Sequence, residues 1–434
     1  CYGASSLDYP VFDSRDFGEY DNLILRTSGQ DRLLTVMKDA MFTSVLDDAG
    51  VGFVQAYRPV VMYLNGDYYG VRYIRERLNA DYVASHCGVS ADTVDLLQGN
   101  RTVNAGSDAA YLELLNFVKT HDMADPGNYR YVTERMNVQS YCDYLISEAY
   151  CGNQDSGNIR FFRSPDYDGG RFHWIVYDVD LGFQNAAVPY GFYHILNPDG
   201  TGAGNSLSTV LVNRLLKNPE FRATFIERMA YLMQNVFTTD NLIAHIDRFE
   251  QILKPEIGRD LDKWGGSSGS WSSRVEGLRT FVRGRQATLE KEVRTSSQLR
   301  SILAQMAEHR GSPEPIVGVV LIVVENTGGA VHHPDLAAVA GHSRRLRQER
   351  ALPAADLPRD GDTFEGAGQL QLGFQRGAQG GPIGGQQSSA GVDGVCGGKP
   401  LPGKAFPQRQ YAFGRIELPL LRLKSPHDLT GAHA

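Results

Sequence analysis

Two hydrophobic rhythms run along the chain, and one gives way to the other near Asp108. Before it, Asn22–Arg26 and Gln55–Leu64 are dense in β-branched, aromatic and aliphatic residues, which predicts strands. Asn65-Gly66-Asp67 lies between Val60–Leu64 and Tyr68–Ile74, a hairpin signal. Leu33, Leu34, Met37, Met41 and Val45 recur at helical spacing and predict one amphipathic helix among these strands. After Asp108 the period is helical. Ala110–Thr120 carries Leu112, Leu115 and Val118 on one face, and Val138–Cys151 carries Tyr141, Leu145 and Ala149, with Gly152 as its stop. A polar loop, Asn153–Asn158, then leads into two predicted strands, Ile159–Arg163 and Phe172–Val179, joined by the turn Ser164–Gly170. Further helices are predicted over Ser208–Asn235, Asp240–Leu253 and Arg274–Val293, with Pro219 and Pro255 as breaks. The class this predicts is α+β: a β-rich N-terminal lobe over 1–100 and a mainly helical lobe over 101–310.

Composition changes the picture only beyond residue 310. Of 21 tyrosines only Tyr411 lies there, and 14 glycines fall between Gly361 and Gly403, a density that opposes a packed core. The tail 311–434 reads as a disordered or irregular Gly/Pro/Ala/Arg-rich extension, or as the translation of a shifted reading frame. The net charge of −7 gives no overall attraction to a nucleic-acid backbone. The longest apolar run, Ile316–Val324, is about half of the ~20 residues a membrane-spanning helix needs, so no transmembrane segment is expected. Five cysteines (Cys1, Cys87, Cys142, Cys151, Cys396) show no CxxC spacing for zinc. Cys142 and Cys151 read as buried free thiols. Cys1 opens the chain without a charged-then-apolar leader, and the expectation is that the natural start lies upstream.

The chemistry concentrates in two places. Asp155 sits in the loop after a predicted buried helix, beside Asn153 and Asn158, and Asp178 and Asp180 interrupt the run Phe172–Phe183. If the strand persisted through both, its alternation would point Asp178 and Asp180 the same way. Carboxylates gathered against an apolar strand call for a compensating cation, and hard oxygen donors suit Mg²⁺ or Mn²⁺. Helix, Asp-bearing loop, hairpin, then Asp-Val-Asp is the order in which kinase-like phosphotransferases place a base and a metal-binding aspartate. In that scheme Asp155 receives the acceptor proton, Asp178 holds the metal, and Asn158 or Asp180 supplies the second oxygen. The plain alternative is that Asp178-Val179-Asp180 caps a strand end. GxxxxGK[ST] is absent from the sequence, which removes the P-loop reading, and Ser156-Gly157 after Asp155 forms no Gly-x-Ser-x-Gly elbow and has no His at a telling spacing, so a hydrolase triad has no support. The Asn100-Arg101-Thr102 sequon reads as chance.

These residues resemble a known family. Leu25–Asp31, Ala56–Gly70, Arg75–Asn79, Asn153–Phe162 and Trp174–Phe183 are similar to the ordered blocks of the spore coat protein CotH kinase family, over about Leu7 to Val293. The resemblance implies an atypical, two-lobed protein-kinase-like fold transferring the ATP γ-phosphate to Ser or Thr of a protein substrate with a divalent metal. It puts the catalytic aspartate on Asp155 and the metal-binding aspartate on Asp178, with Asp180 beside it, and leans to a spore-coat or cell-surface location. Tyr177 stands where Trp is usual. The family's basic Pro-Lys-Lys-Ser-like strand would fall upstream of Cys1. Arg26 is therefore a candidate for lending charge to the nucleotide, Asp39 for the ion-pair partner of the absent lysine, and Glu76 for a further nucleotide-binding carboxylate; local ion pairs or a solvated face are the alternatives. Transfer of a nucleotide or glycosyl group, and a non-catalytic coat-binding role on the same fold, stay open.

Overall fold

The computed structural model describes residues 6–295, apart from 100–101, 156–157, 185–190, 193–194 and 196–205. The tail with Ile316–Val324, Asn100-Arg101 of the sequon, Ser156-Gly157, Cys1 and Cys396 lie outside the described residues.

The hairpin forms where the sequence predicts it. Strands β5 (Tyr57–Leu64) and β6 (Asp67–Glu76) pair antiparallel across Asn65 and Gly66, whose φ of 53° and 87° is the left-handed pair a tight two-residue turn requires. β3 (Leu23–Arg26) adds to β6, making a sheet of order β3-β6-β5, while β1 (Leu7–Asp8) pairs with β2 (Glu19–Tyr20). A second sheet has the order β4-β10-β9-β7-β8, from β4 (Phe53–Val54), β7 (Asp95–Gln98), β8 (Thr102–Ala105), β9 (Arg160–Arg163) and β10 (His173–Val176); β4 and β10 run parallel. Its strands come from both sides of residue 100, so the division expected there falls inside the β7–β8 hairpin.

The α-helices whose bounds are described are α1 (Lys38–Asp48), α2 (Ala80–Cys87), α3 (Ala109–Thr120), α4 (Pro126–Thr133), α5 (Val138–Cys151), α6 (Ser206–Leu215), α7 (Pro219–Asn235), α8 (Thr239–Trp264) and α9 (Ser268–Thr295). The fold is thus mixed α+β, strand-rich toward the N-terminus and helical toward the C-terminus. One apolar core runs from Val36 in the turn before α1, through α5 and β10, to Leu289 on α9. Cys142 and Cys151 are buried free thiols within it.

Three expectations are corrected. Leu33 and Leu34 are not on a helix; they are exposed in the turn before α1. Buried Asp31 delays the helix start, because its carboxylate accepts from the backbone N–H of Thr35, Met37 and Lys38 at 2.9, 2.8 and 3.1 Å and so caps α1 from upstream. Pro255 does not end α8. Leu253, Ile257 and Leu261 stay buried on both sides of it, and that stripe outweighs the one lost backbone bond. The third correction concerns Phe172–Val179: the strand stops at Val176, two residues before the first acidic position.

Candidate active site

Four chain segments meet at one place. Arg26 ends β3, Lys38 and Asp39 form the first turn of α1, the loop carrying Asp155 and Asn158 follows α5, and the loop Asp178–Phe183 follows β10. The α5 loop begins where Gly152 takes the left-handed conformation (φ 63°) that ends the helix. Buried Arg285 of α9 holds that helix end by donating to the carbonyls of Ala149 and Tyr150 at 2.7 and 2.8 Å. Asn153 then accepts from the backbone N–H of Asp155 at 3.1 Å, and the Asn158 amide donates to the Asp155 carboxylate at 3.0 Å and to the Asp178 carbonyl at 3.4 Å. One asparagine therefore ties the two aspartate loops together.

Asp178 has φ of 57°, left-handed backbone that aspartate tolerates better than most residues. Strand alternation therefore does not orient Asp178 and Asp180; a backbone reversal does, and both carboxylates turn to Arg26. Its Nη2 donates to Asp178 and, at 3.2 Å, to Asp180. Asp39 lies behind, 3.7 Å from Arg26 Nε, paired with Arg75 and accepting from the Val179 N–H at 3.2 Å. Lys38 donates to the Gly182 carbonyl at 3.0 Å, so the first turn of α1 grips the Asp178–Phe183 loop at two points. Gly29 (φ 45°) faces Asp180 so closely that a Cβ there would run into the carboxylate.

Negative charge exceeds what these cations balance. Burial, then the neighbouring Asp178, pushes Asp180 up to about 6 despite Arg26. Asp39 is held low: burial opposes its charge, but Arg75 and Arg26 outweigh it. Burial depresses the Lys38 ammonium. Glu148, buried on the last turn of α5, is pushed up to about 8 by desolvation, with Asp155, Asp178 and Asp39 adding repulsion. Its Oε1 and the Asn153 Nδ2 are buried without a hydrogen-bond partner.

The structure thus brings together six of the sequence-derived residues: Asp155, Asn158, Asp178, Asp180, Arg26 and Asp39. Glu76 is not among them. Its carboxylate is committed to Arg15 (2.9 Å), His86 (2.7 Å) and the Ala56 N–H (2.7 Å), a packed ion network at the end of β6, and this geometry gives no support to a nucleotide contact. Asp39 meets arginines rather than a lysine. Sequence reasoning missed Asp31, Lys38, Glu148 and Gly29; the usable signal was a run of charged residues inside otherwise apolar helical faces, Lys38-Asp39 in α1 and Glu148 in α5.

The donor chemistry here suits a hard cation. Asp178 and Asp180 offer carboxylate oxygens from one loop and share a single guanidinium nitrogen, and Asn158 has its amide nitrogen already engaged and its carbonyl oxygen left to offer. No group of three or more His, Cys, Asp or Glu side chains placed for a metal occurs among the described residues. That limit is compatible with Mg²⁺, commonly held by one or two carboxylates plus phosphate oxygens and water.

No curated protein matches the chain. The family model described as CotH kinase protein matches residues 6–289, well over half of the chain and all four segments of the site. The chain belongs to the CotH kinase family.

Proposed function

We propose that the protein is an ATP-dependent protein kinase that phosphorylates Ser or Thr of a protein substrate with Mg²⁺ or Mn²⁺. The observation that carries this reading is the meeting of Asp178 and Asp180 with Arg26, beside an exposed Asp155 tied to the same loop by Asn158. Membership of the family supports kinase chemistry in general.

Each residue then has a task. Asp178 and Asp180, with the Asn158 carbonyl oxygen, would hold the cation, which when bound would neutralise charge on the nucleotide phosphates. Asp155 accepts the proton of the acceptor hydroxyl as its oxygen bonds to the γ-phosphorus and the bond to the β,γ-bridging oxygen breaks, leaving ADP. Asn158 keeps the Asp155 carboxylate facing the acceptor, and Arg26 adds positive charge near the phosphates. Among the described residues no helix is long and apolar enough to cross a membrane.

The test is transfer of labelled γ-phosphate to the protein itself and to a Ser/Thr-rich acceptor. Wild type is expected to transfer only with the divalent cation, and Asp155→Ala to lose about 10²–10⁴-fold while remaining folded. Unchanged transfer in Asp155→Ala, or a nucleotide or sugar found on the acceptor by mass spectrometry, contradicts the assignment.

A further inference from the structure

Arg26 touches both proposed metal ligands with one nitrogen. Its Nη2 donates to Asp178 and Asp180, the position from which a divalent cation would also neutralise them. Its Nε is buried, makes no hydrogen bond, and stops 3.7 Å from Asp39 Oδ2. A buried guanidinium donor without a partner is costly. Asp39 is a fixed receiver for it, anchored by Arg75 and by the Val179 N–H.

We propose that Arg26 competes with the divalent cation for the Asp178–Asp180 pair, and that binding of the cation moves the guanidinium onto Asp39. The cation and the Arg26 guanidinium would approach the same two carboxylates, and at that range their mutual repulsion opposes joint occupancy. The displaced guanidinium would gain the Nε contact it now lacks and keep its charge beside the phosphates. Gly29, which carries no Cβ, leaves the Asp180 carboxylate its place beside Arg26, where the exchange of one cation for the other would occur. Arg26 is thereby a gate on metal loading: an arginine that holds the pair nine-tenths of the time weakens the apparent metal affinity about ten-fold. The inference rests on the reading of Asp178 and Asp180 as metal ligands.

The test is Mn²⁺ titration followed by electron paramagnetic resonance on the full chain, for wild type, Arg26→Gln, Arg26→Lys and Arg26→Gln combined with Asp178→Asn, with circular dichroism to establish folding. Arg26→Gln should bind Mn²⁺ about ten-fold more tightly than wild type. Arg26→Lys, whose single ammonium cannot reproduce the planar fork, should fall between them. The double variant should lose the gain. Equal or weaker binding in folded Arg26→Gln that still depends on Asp178 overturns the competition and leaves the metal site standing. Binding in none of the variants, or binding indifferent to Asp178, removes the metal assignment and the gate with it.

Discussion

Two buried charge clusters of similar composition behave in opposite ways. Around Arg15, every strong group is answered: its guanidinium donates to Asp47 at 2.9 Å, to Glu76 at 2.9 Å and to the Val54 carbonyl at 3.1 Å, while Glu76 also takes His86 and the Ala56 N–H. Despite burial, His86 and Arg15 hold Glu76 well below the usual carboxylate range. Around Arg26, carboxylates outnumber the cations that answer them. Asp180 and Glu148 are pushed up, Arg26 Nε and Glu148 Oε1 lack partners, and Asp178 sits in left-handed backbone. A cluster selected for stability closes its own hydrogen bonds, and one selected for chemistry leaves charge for a ligand to meet.

Breaking the closed cluster should cost the most stability. Arg15→Ala takes from the buried Glu76 and from Asp47 the guanidinium they share and is expected to lower unfolding free energy by about 3–5 kcal/mol, with phosphate transfer per folded molecule unchanged. Denaturant melts and an activity titration check this; a loss of activity beyond the loss of folded protein would erase the contrast.

Relieving the open cluster should do the reverse, and with a pH signature. Glu148 is raised from 4.5 to about 8 in the folded state, so folding takes up a proton between those values and stability falls as pH climbs through that window. Glu148→Gln removes the penalty. It should match wild type near pH 5 and be more stable by up to about 4 kcal/mol at pH 9, read from melts across that range. A gain independent of pH would show that ionisation of Glu148 is not the cause.

The smallest effect tests the close approach at Asp180. Gly29→Ala puts a side chain at φ 45° against that carboxylate, and the backbone alone should cost about 1–2 kcal/mol. Transfer should fall further than stability does, and a variant as active as wild type would mean Asp180 has room to spare.

What was legible in the sequence follows the same divide. Asn65-Gly66, the periodic face of α5 and Pro219 at the start of α7 are local signals, and each element forms at or near its predicted place. α2 and α4 were missed although both carry caps, Asn79 accepting from the Tyr82 N–H and Asp125 from the Asn128 N–H, because eight-residue helices show too little period. The aspartates at the site were visible as acidic residues out of pattern. Their geometry was not, since it comes from a left-handed turn at Asp178 and from Arg26, 152 positions away in the chain. Glu148 looked like one polar residue on a helix; only the packing of α5 shows it buried on every side.

The most direct measurement is γ-phosphate transfer by Asp178→Asn, with its thermal melt recorded in parallel. Asp178 is partly exposed and sits where carboxylates already repel, so its loss should leave stability within about 1 kcal/mol while transfer drops at least about 100-fold. Transfer that persists in the folded variant, or that disappears only as the protein unfolds, would contradict the account.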